Sequence, residues 1–187
     1  MNPLRRFFAA ALFTAALLMT FHAARVPAKA TLGQWLLERA WQARSAGAEA
    51  PRPWPWADTR PVAELEIPSL GLRQLVLEGA SGRNLAWGPA ALTPVTQRDV
   101  VLSGHRDTHF APLEHLAVDD ALILRDGARE RRYRVAWMDI VDSRRQDLVI
   151  GNDRDRLTLV TCYPFDAPLA GGPLRLVVTA LLLESAG

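Results

Sequence analysis

The sequence predicts a mainly β domain, a closed or nearly closed barrel of seven or eight short strands with short helices. An N-terminal transmembrane helix and an amphipathic helix precede it. Three observations carry this expectation. Short runs of strand character recur between Val62 and Leu183, separated by turn residues. A basic pair, Arg5 and Arg6, precedes an apolar run from Phe7 to Phe21. Between the two lies PRPWPWADTRP at 51–61, where four prolines preclude helix and mark a stiff, extended connector.

The totals agree with one domain behind a targeting segment. The chain has 187 residues, 49% hydrophobic and 22% charged, which suits a packed core rather than disorder. Net charge is +2, from 22 basic and 20 acidic residues. No basic face stands out, so nothing argues for nucleic acid. Arg131, Arg132 and Arg134 cluster beside Glu130 and Asp126, which reads as a solvated hairpin end. The single cysteine, Cys162, rules out a disulfide within the chain. A lone thiol in an exported protein is either buried and inert or put to use.

Taken in order, residues 1–24 read as an uncleaved signal anchor. The apolar run has border length for a span, and a cut after Ala23 or Ala24 would put Phe21 or His22 where a small residue is wanted. The basic N-terminus stays in the cytoplasm, and the body faces the exterior or the periplasm. Residues 25–60 form a helical stalk and a Pro/Trp-rich linker. Within it, Thr31–Arg44 has helical spacing, a capping box at Thr31 and Gln34, and a stop at Gly47. Residues 61–187 are the folded domain. Its expected strands are Val62–Ile67, Gln74–Leu77, Asp99–Leu102, Ala121–Leu124, Tyr133–Val141, Leu157–Thr161 and Leu174–Leu183. Asp126-Gly127 marks a hairpin, and a short helical piece covers Pro112–Leu116 with proline at its first position.

Two segments look unlike scaffold. Ser103-Gly104-His105-Arg106-Asp107-Thr108-His109-Phe110 and Thr158-Leu159-Val160-Thr161-Cys162-Tyr163-Pro164-Phe165 both lie where a strand gives way to a loop. A free thiol titrates near about 8.5, so little is thiolate at neutral pH. A histidine within reach stabilises the thiolate or takes its proton, then protonates a leaving amine. Arg175 lies 13 residues after Cys162 in an otherwise apolar run. It is either an oxyanion donor or an outward position in a half-exposed strand. His105, Asp107 and His109 share a face if extended. That leaves three readings: a zinc site, bracing of the loop, or direct catalysis.

At these residues the sequence resembles the sortase family of cysteine transpeptidases. Thr158-Leu159-Val160-Thr161-Cys162 matches the family's T-L-x-T-C signature at every fixed position. Gly104-His105-Arg106 resembles its histidine segment, and Arg175 its strand arginine, in the family's order. From about Trp54 onward, with GHRDTHF, TCYPFDA and GGPLR, the chain looks like the Gram-negative (marine proteobacterial) group. The resemblance implies an eight-stranded sortase barrel that needs no cofactor. It implies that Cys162 attacks the scissile carbonyl of a C-terminal sorting signal on a secreted protein and holds a thioacyl intermediate, which an amine resolves. His105 serves as acid and base, and Arg175 holds the oxyanion or the signal. Thr161, Arg106, Asp107 and His109 are expected at the substrate site. The enzyme sits in the inner membrane by a single span, its catalytic domain on the periplasmic side. Met138–Arg156 would be the loop that shapes signal choice.

Overall fold

The computed structural model describes residues 3–44, 48–127, 129–147, 150–151, 154–169 and 171–183. The chain divides into two units, Met1–Leu36 and a compact Leu37–Gly187. One helix, α1, runs over Pro3–Gln42, so the anchor and the amphipathic helix expected as two pieces are continuous. The backbone stays helical through Pro27 and Thr31. Thr31 is therefore an interior position of α1 rather than the helix start expected there. The flanking Ala23, Ala24, Ala28 and Ala30 are the best helix formers, working against the ~3 kcal/mol cost of an interior proline. The stretch Ala11–Gln42 is long and apolar enough, by length and composition, to cross a bilayer. The helix stop expected at Gly47 lies outside the described residues.

Eight strands make up the second unit: β1 (Pro61–Ile67), β2 (Leu72–Glu78), β3 (Ala90–Ala91), β4 (Asp99–Ser103), β5 (Ala121–Arg125), β6 (Glu130–Asp142), β7 (Arg156–Cys162) and β8 (Leu174–Leu182). They close into a barrel in the order β1-β2-β3-β4-β7-β8-β6-β5, with β5 pairing back onto β1. β2/β3 and β4/β7 are parallel pairs, and the others are antiparallel. Alternation explains which face each strand buries. Leu157 and Leu159 of β7 and Leu176, Val178 and Ala180 of β8 join the core. Their alternates, Val160 and Cys162, then Arg175 and Val177, take the outer face. Phe110 and Leu113, both buried, pack on the same core from the β4–β5 connection. There a 3-10 turn at Ala111–His115 carries Pro112 at its second position, one residue ahead of the expected bounds Pro112–Leu116.

The loop expected over Met138–Arg156 is shorter. β6 continues to Asp142, pairing Met138 with Val178 and Asp142 with Leu174. Met138 packs against the core, which draws this stretch into the sheet. Residues 143–155 are what remains of the loop. The segments before the barrel pack on it. Leu37, at the end of α1, is buried with Leu77 and Ala90, and Trp54 and Trp87 pack against that cluster with ring centroids 5.3 Å apart.

Candidate active site

The site forms where β4, β7 and β8 lie side by side. Cys162 ends β7, and its register partner across the antiparallel pair is Arg175. Directly opposite residues of such a pair point to the same face, so the thiol and the guanidinium share the barrel's outer side. β4 runs parallel to β7 and brings Ser103 level with Val160. His105 follows two residues later. Cys162 is a half-buried free thiol, Arg175 is half-buried, and His105 is exposed.

Two bonds stitch the strand ends together. Gly104 N donates to Val160 O at 3.2 Å, and the Thr161 hydroxyl donates to Gly104 O at 2.8 Å. The glycine is needed here for space. A Cβ on Gly104 would come within 2.7 Å of the fully buried Phe110 ring. The His105 carbonyl accepts from Phe110 N at 3.0 Å, closing the turn that presents the imidazole.

Four further residues were expected at the substrate site. Thr161 is buried and spends its hydroxyl on Gly104. Arg106 is also buried, and its guanidinium donates to the Asp107 carboxylate and to the carbonyls of Pro164 and Ala167. Asp107 is exposed and turned to Arg106. His109 is half-buried, with Nδ1 3.2 Å from Gln74 Oε1. Burial pushes its imidazole below the usual range; the hydrogen bond with the Ala86 backbone opposes this, and positive charge at His105 adds to it. These bonds also answer the zinc reading. With Asp107 on Arg106 and His109 on Gln74, the donors do not converge. Among the described residues no group of three His, Cys, Asp or Glu side chains is placed to hold a metal ion.

Arg175 donates through Nη1 to Gly172 O at 2.6 Å and Leu174 O at 2.8 Å, capping its own turn. Beyond Cys162 the chain turns through a cis Tyr163–Pro164 peptide. Tyr163, Pro164, Phe165 and Asp166 wall a pocket of about 360 Å³ whose other side is Leu113, Leu116, Met138 and Leu176. Sequence reasoning foresaw neither the Gln74 contact nor this pocket. Neither has a local signal, because each depends on contacts between distant strands and loops.

A closed eight-stranded β-barrel with a free thiol at the end of β7 defines the class. The chain belongs to the sortase family, whose Sortase domain model matches residues 65–183. It is 30% identical over 119 residues to Sortase D of Bacillus subtilis strain 168, covering 61% of this chain and 60% of that protein. The chain thus spans about 60% of the length of this curated relative. Among solved structures it is similar to a Clostridium perfringens Sortase D5 transpeptidase (TM-score 0.65, 18% identity, 82% of this chain and 99% of that one). It is also similar to sortase C-1 from Actinomyces oris (TM-score 0.55, 26% identity, 67% and 76%).

Proposed function

We propose that this chain is a membrane-anchored cysteine transpeptidase that cuts a C-terminal sorting signal on a secreted protein and passes the product to an amine. The observation that carries the reading is the register of Cys162 against Arg175, with His105 tied to the same corner through Gly104 and Thr161. Residues 1–24 anchor the chain, 25–60 form the stalk and linker, and 61–187 do the chemistry. The apolar stretch in α1 supports a single span, with the barrel on the periplasmic side of an inner membrane. The chain's kinship with the Gram-negative group is part of this proposal.

In the reaction, Cys162 Sγ attacks the scissile carbonyl with His105 holding the thiol proton. The carbonyl oxygen gains negative charge, and the Arg175 guanidinium, which cannot lose its proton, turns from its own carbonyls to meet it. The C–N bond breaks, and His105 gives its proton to the leaving amine. A thioester remains on Cys162. An acceptor amine then attacks it, His105 takes the new proton, and the thiolate leaves. No cofactor enters any step.

The test uses the full chain in membranes with a secreted protein bearing a short motif, an apolar span and a basic tail. Wild type shortens that protein and joins it to an amine. Cys162→Ala retains the barrel by circular dichroism and loses processing by at least about 10³-fold. Processing that survives the alanine ends the proposal. So does a Cys162 that stays inert to methanethiosulfonate reagents, the result a purely scaffolding barrel would give.

A further inference from the structure

We infer that Arg106 is a positioning residue, whose guanidinium ties the histidine turn to the cysteine turn and sets His105 against Cys162. The inference rests on the cysteine–histidine reading above. Arg106 follows His105 directly, and its side chain is only 5% exposed. Its Nε donates to Asp107 Oδ1 at 2.8 Å, while Nη2 reaches Asp107 Oδ2 at 3.4 Å and Ala167 O at 3.1 Å. Nη1 donates to Pro164 O, two residues past the thiol.

Among the described residues, the other ties to backbone atoms in this corner join the strand ends rather than the two loops. Gly104 to Val160 and Thr161 to Gly104 join the strand ends. The His105 carbonyl serves its own turn, and Tyr163 N goes to Leu174 O on β8. Arg106 reaches from the residue after the imidazole to the residues after the sulfur. A buried cation needs good partners, and one carboxylate and two carbonyls from two loops supply them. The Asp107 hydrogen bond chiefly keeps the guanidinium protonated against burial, and negative charge at Cys162 and Asp166 adds to this. The thiol therefore lies within electrostatic reach of a fixed positive charge besides Arg175.

A planar fork is required, so lysine cannot replace it: one ammonium does not reach a carboxylate and two carbonyls together. The full chain in detergent micelles is modified with a methanethiosulfonate reagent across pH 5–9, for wild type, Arg106→Lys and Arg106→Met. Near-ultraviolet circular dichroism gives the folded fraction. Arg106→Lys slows modification at neutral pH about tenfold and raises the pH of half-maximal rate by about one unit, since one unit is tenfold in thiolate. Arg106→Met does the same or more, and Asp107→Asn shifts the profile less in the same direction. A merely structural role lowers the folded fraction and leaves the profile of the folded protein in place. An Arg106→Lys profile that superposes on wild type, once scaled to folded protein, overturns the inference. Should Arg106→Met not fold, Arg106→Lys and Asp107→Asn decide by the same criterion. A wild-type thiol no faster than a free cysteine overturns the cysteine–histidine reading and this inference with it, whereas a wild-type-like Arg106→Lys overturns this inference alone.

Discussion

At the scale of single residues, His109 couples burial to pH. Its ring is half-buried against Gln74, and burial chiefly, with the charge of His105 adding, favours its neutral form. The sign follows from proton binding. The unfolded chain titrates this group near about 6.5 and the folded chain at a lower pH, so the unfolded state binds more protons between them. The stabilisation is complete above about pH 6.5 and is lost as pH falls through the folded value. The thermal stability of wild type therefore falls as pH drops from about 7 to about 5. His109→Gln, which keeps a polar partner for Gln74, flattens that slope while leaving stability at pH 8 nearly unchanged. Equal slopes in the two proteins would refute the assignment. GHRDTHF made His109 visible in the sequence. Its partner was not visible, because Gln74 lies 35 positions away on β2.

At the scale of elements, the β6–β7 loop is held at both ends by carboxylates of unequal worth. Where it begins, Asp142 accepts from the Arg144 side chain and backbone, which hold it down to about 2. Where it ends, Asp99 is fully buried at the start of β4 and faces Arg156 at the start of β7. Its Oδ2 accepts from Arg156 Nη2 at 2.6 Å and from Gly151 N at 2.8 Å. Next to it, Arg98 and Asp155 pair at 2.7 Å in the open, with side chains 56% and 38% exposed. Desolvation decides between the two pairs. Removing one partner of a buried pair strands the other charge at a cost of about 3–5 kcal/mol, whereas an exposed pair is worth under about 1 kcal/mol. Asp99→Ala should thus lower chemical-denaturation stability by about 3 kcal/mol, and Asp155→Ala by a few tenths. Similar losses in the two variants would show that burial is not what matters here. The strands around this loop were legible because half-buried strands alternate. β3 was not, since two residues carry no period, and β6 begins at Glu130, ahead of its expected start at Tyr133.

At the scale of the whole molecule, the two motifs were legible and their adjacency was not. Thr158–Cys162 and Gly104–His105 are local patterns, but they become neighbours only because β4 and β7 pair in parallel across 57 positions. The packing of the connector was not legible for a related reason. Its prolines correctly excluded helix, yet nothing local shows that a chain without regular structure will lie on a barrel. In the folded unit Leu37 and Ala40 are buried, Ala50 and Ala57 are buried, and Trp54 rests on Trp87. Arg44 donates to Val62 O at 3.0 Å, and Thr59 to Glu78 O at 2.8 Å. A chain begun at Pro61 loses all of these and opens Leu77 and Ala90 to water. A fully buried leucine contributes about 2–3 kcal/mol and a half-buried tryptophan a comparable amount, so the loss is about 4 kcal/mol. Domains of this size shift by about 2–4 °C per kcal/mol. The chain begun at Pro61 should therefore melt roughly 10 °C below one begun at Leu37, and should bind an apolar dye that the longer chain does not. Equal melting temperatures would mean that the connector only tethers. The predicted gap makes the stretch of α1 from Leu37 onward and the Trp-rich segment part of the folded domain.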